Sequence, residues 1–364
     1  MTGNHDRRAI SRAPFALPPN PRLRGRAHEL ATLDTALARG ETTRLALVGG
    51  GGSGKSVLAA ALAHRIRARH PGGAAWLRVG NWDHRTLLQM LALHLGAARE
   101  PLLDSVRAAL ASGGRRLVVL DNHENDRALA RFLDELASAP VTWLITARRC
   151  LLAGVAIFPV VAPLANARRS AFPRVAPLTR LLRWNPLALD IADALVSGGA
   201  ASVARLRDWL LDRGVTRVRV MAHEDDVVEV RLLCEWAWAR LPAPARRMLT
   251  VLAHCPGDHM DAGSLATLAR APARSARSAL ARLRRWRLVQ EPTTGRFAVH
   301  AVVRYALAGK AEVPGERYFR HYLRMLERDP SRLTEELSHV FAAMDYAQAA
   351  SSLGDILRVE SLLA

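Results

Sequence analysis

The chain has 364 residues, half of them apolar, and a formal net charge of +19 in which arginine far outnumbers lysine. That length predicts two to four folding units, and no unbroken apolar run is long enough to span a membrane. Three cysteines, Cys150, Cys234 and Cys255, far apart and odd in number, argue for a reducing cytoplasm rather than a disulfide framework.

The arginines are spread over every segment, so the charge reads as an attraction for polyanions in general or as an arginine-biased composition. Arg7, Arg8 and Arg12 precede no apolar core, which excludes a secretory signal. Residues 1–22, with Pro18, Pro19 and Pro21, read as a disordered leader. An Arg24-Gly25-Arg26 turn then feeds a helical pattern over 27–39.

A short apolar run, Arg44–Val48, stops at a glycine cluster, Gly49-Gly50-Gly51-Gly52-Ser53-Gly54-Lys55-Ser56-Val57, and a helical pattern follows at once. This strand, loop and helix contain the G-x-x-x-x-G-K-[ST] phosphate loop (Walker A) without departure. The glycines let the backbone curl so that N–H groups face a phosphate, with the positive helix N-terminus behind it. Lys55 supplies a charge for the β/γ-phosphates, and the Ser56 hydroxyl is placed to ligate Mg²⁺.

Further strands are predicted over 74–79, 116–120 and 141–146, with a short edge strand over 156–161. Helical patterns over 85–95, 101–112 and 128–137 alternate with them, which predicts a doubly wound parallel sheet over 23–165. Ligands of such sheets sit at the strands' C-terminal ends, here Gly49, Asp121 and Arg148. Asp121, after an apolar strand, is the Walker B candidate and would hold Mg²⁺ opposite Ser56. Asn122 follows where a second carboxylate often stands, and an amide cannot act as a base. Glu124 is the nearest carboxylate able to polarise a water, so slow hydrolysis is the expectation. Thr146 and Arg148 end the next strand, where a guanidinium could report a γ-phosphate.

Residues 166–222 read as a helical domain. Over 223–310 four helical stretches (228–240, 242–254, 262–270 and 272–287) precede a hairpin, the order of a winged helix, and Pro272 suits a first helical turn. Residues 311–364 are helical again, most amphipathic over 337–350, and the pattern is expected to continue in a longer protein. Trp236 and Trp238 read as core. His254, Cys255, Asp258 and His259 lack the paired spacing of a zinc site and read as a loop. Arg274, Arg277, Arg282, Arg284, Arg285 and Arg287 lie on or near the fourth helix of that unit and carry the alternative reading, a DNA-binding regulator. A housekeeping ATPase is a further alternative, but it needs a better base than Asn122.

With these pieces in order, residues 23–310 resemble the NB-ARC class of STAND NTPases, the signal-transduction ATPases with numerous domains. Leu23-Arg24-Gly25-Arg26 looks like that family's Val-Gly-Arg turn on adenine, and Gly49–Ser56 matches its phosphate loop. Leu120-Asp121-Asn122-His123-Glu124 is similar to its Walker B, and Thr146-Ala147-Arg148 to its sensor. Trp184-Asn185-Pro186-Leu187-Ala188-Leu189 resembles the Gly-Leu-Pro-Leu-Ala-Leu motif, whose proline contacts the base. Val299-His300-Ala301 resembles the Met-His-Asp motif, whose histidine touches the ADP β-phosphate; the aspartate is Ala301 here. The resemblance implies an ASCE-type P-loop NTPase domain, then a helical domain, a winged-helix domain and the start of a TPR-like helical region. It implies an ATP/ADP switch with Mg²⁺, closed with ADP and forming a homo-oligomer with ATP to engage an effector or sensor of unknown identity, in signalling or antiphage defence.

Overall fold

The computed structural model describes residues 15–23, 25–38, 43–98, 100–161, 172–213, 227–254, 259–307, 315–333, 335, 336 and 338–340. The described residues divide into two units, one within 15–161 and the other within 172–340.

The first unit is built on a parallel sheet. Its elements in chain order are α1 (Ala27–Ala38), β1 (Arg44–Val48), α2 (Lys55–Ile66), β2 (Ala74–Arg78), α3 (His84–Leu95), α4 (Leu102–Ser112), β3 (Arg116–His123), α5 (Asp126–Glu135), β4 (Val141–Ala147) and β5 (Ala156–Pro159). The strands lie in the order β2-β3-β4-β1-β5, all parallel. β4 is the middle strand and is buried at all seven positions, as a strand covered on both faces must be. β5 is an edge strand and largely exposed, as the proline at its end requires. Leu58, Leu62 and Ile66 of α2 recur every fourth residue and pack on Leu45, Leu47, Leu117, Val119 and Leu144. On the other face Phe132 of α5 meets Trp143 edge-on, ring centroids 5.3 Å apart.

Residues 15–22 depart from the leader expected over 1–22. Phe15 is buried, its carbonyl accepts from Trp76 N at 2.8 Å, and its ring meets His94. The Pro18 carbonyl bonds His64 Nε2 at 2.7 Å. One aromatic and two carbonyls suffice to seat a proline-rich segment that has no periodicity to announce it.

The second unit is helical with one small sheet. A 3₁₀ stretch (Pro173–Leu178) leads to α6 (Pro186–Ser197), α7 (Val203–Asp212), α8 (Val228–Arg240) and α9 (Ala243–His254). Then come β6 (Met260–Asp261), α10 (Ala262–Leu268), α11 (Ala273–Arg285), β7 (Gln290–Thr293), β8 (Arg296–Ala298), α12 (Ala301–Leu307) and α13 (Gly315–Arg328). The three strands are antiparallel in the order β6-β8-β7. Pro272 stands at the N-cap of α11, one place before the first turn in which it was expected. Trp236 is core, meeting Trp209 edge-on at 5.4 Å, whereas Trp238 is only half-buried.

A buried ionic network ties α13 and the turn after it to this sheet. Arg296 at the start of β8 grips the fully buried Glu336 with both Nη atoms, at 2.8 and 2.7 Å, and donates Nε to His259 Nδ1 at 2.8 Å. Arg332 bonds Glu336 and Asp261, at 2.8 and 3.1 Å. His339 hydrogen-bonds the His259 carbonyl at 2.7 Å and Tyr318, and stacks on Tyr322. Burial pushes His339 down to about 4 against the adjacent Glu336 carboxylate. Burial also opposes ionisation of Asp261, but Ser264 and Arg332 outweigh it and hold the carboxyl down to about 2.

Both groups titrate lower in the fold than in the open chain. The unfolded state therefore binds protons first, and stability is lost as pH falls from 6.5 to about 4 through His339 and from 3.8 to about 2 through Asp261. Melting between pH 7.5 and 4.5 checks this: up to about 3 kcal/mol should disappear through His339. The acid loss should shrink in His339→Gln; an equal loss in that variant contradicts the assignment.

Candidate functional site

The phosphate-loop residues sit where β1 ends and α2 begins. Gly49 passes so close to the edge-strand exit that a Cβ there would lie 2.5 Å from the Val160 carbonyl oxygen, so only glycine fits. Gly54 caps α2 at φ 93°, ψ 21°, a left-handed turn, with no side chain capping the helix N-terminus. Lys55 folds back over the loop, donating Nζ to the carbonyls of Gly49 and Gly50 at 2.8 and 2.9 Å. Burial and the nearby Arg148 push this ammonium down to about 8, with Asp121 opposing. A cation turned onto backbone carbonyls in a partly dry, net positive place is set up to accept an anion.

The second half of the site comes from β3 and β4. β4 separates β1 from β3, which brings the ends of all three strands side by side. Asp121 is buried, and the Thr146 hydroxyl donates to its Oδ1 at 2.6 Å while accepting from Asn122 N at 2.9 Å. The β3–β4 register shifts between Leu120 and His123, and Asn122 sits at φ 61°. This bulge breaks the ladder, and the Thr146 hydroxyl replaces the lost bond while fixing the carboxylate. β3 thus runs on to His123, past the end expected at Leu120, because the bulge absorbs the irregularity. Asn122 Nδ2 holds Glu124 Oε1 at 2.9 Å.

Two neighbours were not singled out by the sequence. Arg78 ends β2 in register with Asp121, its Nε 3.9 Å from Asp121 Oδ2. Only strand order reveals it. Arg26 is buried with Nη2 2.7 Å from the Ser53 carbonyl and 2.9 Å from that of Val161. The signal was its place in the Arg-Gly-Arg turn.

The residues present fit a phosphate and a hard divalent cation. Ser53 Oγ is buried with no partner, and a Cβ added at Gly50 would meet nothing within 4 Å. Ser56 and Asp121 offer a hydroxyl and a carboxylate, oxygen donors of the kind Mg²⁺ takes alongside phosphate. Among the described residues no cluster of three histidine, cysteine or carboxylate side chains could hold a metal.

Lys55, Ser56, Asp121, Asn122, Glu124, Thr146 and Arg148, with Gly25 and Gly49 to Val57, all belong to the first unit. Arg24, Cys255 and Asp258 lie outside the described residues, as does most of 337–350. Pro186 and His300 belong to the second unit. Pro186 opens α6 behind Asn185, whose side chain caps Ala188 N at 3.1 Å. His300 Nδ1 accepts from Val302 N at 3.1 Å, capping α12. Of the arginines considered for DNA, Arg284 pairs with Glu291 and Arg287 with Asp190, and Arg282 lies 5.9 Å over Trp286.

No protein-family model matches the chain. Over 291 residues it is 26% identical to the regulatory protein AfsR of Streptomyces coelicolor, covering 72% of this chain and 29% of that protein. The chain thus spans under a third of the length of the curated relative it matches. Among solved structures it is similar to Cdc6p of Pyrobaculum aerophilum, at TM-score 0.37 and 15% identity over 81% of this chain and 97% of that one. The Walker-type ATPase paby2304 of Pyrococcus abyssi gives TM-score 0.38 and 15% identity over 80% and 98%. Drosophila ORC bound to DNA gives 0.33 and 13% over 84% and 94%. No helix among the described residues is long and apolar enough to cross a membrane.

Proposed function

We propose that the chain is a nucleotide-dependent switch of the STAND type, closed with ADP and assembling with ATP. The observation that carries this is the Walker A loop joined, across one interposed strand, to an Asp121 carboxylate clamped by Thr146. In this reading Gly49, Gly51, Gly52, Ser53, Gly54, Lys55, Ser56 and Val57 cradle the phosphates. Asp121 and Ser56 would hold Mg²⁺, which would supply positive charge to neutralise the phosphates. Arg148 answers the γ-phosphate. Glu124, held by the Asn122 amide, is the group that polarises water, and turnover is slow.

The second unit supplies the other half of the switch. The order α8, α9, β6, α10, α11, β7, β8, α12 is read as a winged helix, with α6 and α7 as the helical domain before it and α13 as the start of a TPR-like region. By the motif resemblance alone, Pro186 is assigned to the base and His300 to the β-phosphate of ADP. Exchange of ADP for ATP then biases a two-state equilibrium through the contacts made to one phosphate. Likeness to a regulatory protein supports a signalling role over a housekeeping one. Partners are a second copy of this chain and an effector or sensor of unknown chemistry.

The test is to identify the nucleotide extracted from purified protein and to measure its mass with ADP and with a non-hydrolysable ATP analogue. A single-copy mass with ADP and a multiple of it with the analogue are expected. The same mass in both states removes the switch.

A further inference from the structure

The geometry points to Arg26 as a positioning residue of the phosphate loop, acting on the nucleotide through one peptide unit; this rests on the nucleotide-binding reading above. Arg26 directly precedes α1, and its carbonyl accepts the first helical bond from Leu30 N at 3.1 Å. From there its side chain runs under the loop. Nη2 donates to the Ser53 carbonyl at 2.7 Å and to the Val161 carbonyl at 2.9 Å, and Nη1 pairs with Glu29 at 3.0 Å. The side chain is 5% exposed. A guanidinium taken that far out of water is retained only where its donors are used, and here they go to backbone on two sides of the cradle.

The consequence lies in the Ser53–Gly54 peptide. A trans peptide is planar, with its C=O and N–H directed oppositely. Holding the Ser53 carbonyl towards Arg26 therefore aims the Gly54 N–H away from it. This peptide is the one most in need of holding. Gly54 sits at φ 93°, and a glycine there can take either sign of φ at little cost. Without Arg26 the unit can flip, exchanging a donor for an acceptor at the N-terminus of α2, where an anion needs donors. The second bond, to Val161, anchors the same guanidinium to the exit of the edge strand, beside the Val160 carbonyl that already crowds Gly49. Arg26 thus braces the loop at both ends, Gly49 and Gly54. The side chain is placed to act through the loop.

A brace on the loop predicts a defect confined to phosphates carried by the loop. Dissociation constants for ADP and for AMP are to be measured by calorimetry on the parent, Arg26→Met, Arg26→Lys and Lys55→Ala, with melting curves of the ligand-free proteins as the control for folding. Arg26→Met should weaken ADP about tenfold or more, the worth of one charge-assisted hydrogen bond, and leave AMP within about twofold. Arg26→Lys, which keeps a donor and the charge, should recover part of the loss. It is the variant to read if Arg26→Met melts early.

Unchanged ADP affinity in a folded Arg26 variant overturns the proposal. Equal loss of ADP and AMP also overturns it, because a role confined to the loop cannot touch both alike. A parent that binds no ADP, or a Lys55→Ala that binds it as tightly as the parent, removes the nucleotide reading itself. Tight ADP in the parent and in Arg26→Met, lost in Lys55→Ala, removes the brace alone.

Discussion

Replacing Lys55 by alanine is expected to weaken ADP and ATP binding at least about 100-fold while leaving the fold intact. Lys55 lies in the first turn of α2 with its ammonium on two loop carbonyls, so the variant removes no core contact. What it removes is the charge that meets the phosphates, and two charge-assisted hydrogen bonds to phosphate oxygens are together worth about 3 kcal/mol or more. The ammonium is also titratable in a useful range. Burial and Arg148 push it down to about 8, and a bound polyphosphate must raise it again. Binding therefore takes up protons, and affinity should fall as pH climbs above about 8, approaching tenfold per unit where the free ammonium is deprotonated and the bound one is not. Equilibrium titration with a fluorescent ADP at pH 7 and 9 measures both effects. An undiminished affinity in Lys55→Ala would falsify the assignment of the loop.

Asp121→Asn is the second large effect, and it should appear only with Mg²⁺. Asparagine keeps the shape and the oxygen that accepts from Thr146, so the bulge at Asn122 should survive. It loses the negative charge at the end of β3, and it leaves Arg78, 3.9 Å away, without its counter-charge. ATP affinity in excess EDTA should stay within about threefold of the parent. Added Mg²⁺ should then tighten ATP about tenfold less in the variant than in the parent, a difference of about 1.4 kcal/mol. Titrations with and without the cation separate the two arms. A variant whose response to Mg²⁺ matches the parent's takes Asp121 out of the cation site.

The phosphate loop was readable from the sequence because its chemistry is written in consecutive residues: a strand, five glycines with Ser53 among them, Lys55 and Ser56, then a helix. Asp121 was readable as an acid at a strand's end. Its pairing with Thr146 was not, because that depends on which strand lies beside β3 and on a bulge between them. Strand order is a long-range property, and nothing local in Val141–Ala147 says that this segment inserts between β1 and β3. For the same reason Arg78 escaped notice, although it ends its strand level with Asp121. Arg26 was visible only as part of a turn. Its partners, Ser53 and Val161, are far along the chain and are bonded through backbone, which leaves no trace in side-chain identity. The two-residue strand β6 is too short to carry a period, and the seating of Phe15 rests on a single residue. The helices fared better, since Leu58, Leu62 and Ile66, or Tyr318, Phe319, Tyr322, Leu323 and Leu326, repeat on one face over several turns.

The imidazole of His300 already has an occupation. Its Nδ1 is spent on the Val302 amide at the head of α12, so alanine there discards a helix cap worth about 1 kcal/mol as well as any touch on a diphosphate. Asparagine at this position can still satisfy that amide and cannot imitate the far ring nitrogen. Setting His300→Asn beside His300→Ala therefore divides local scaffolding from communication, a division that a lone truncation blurs.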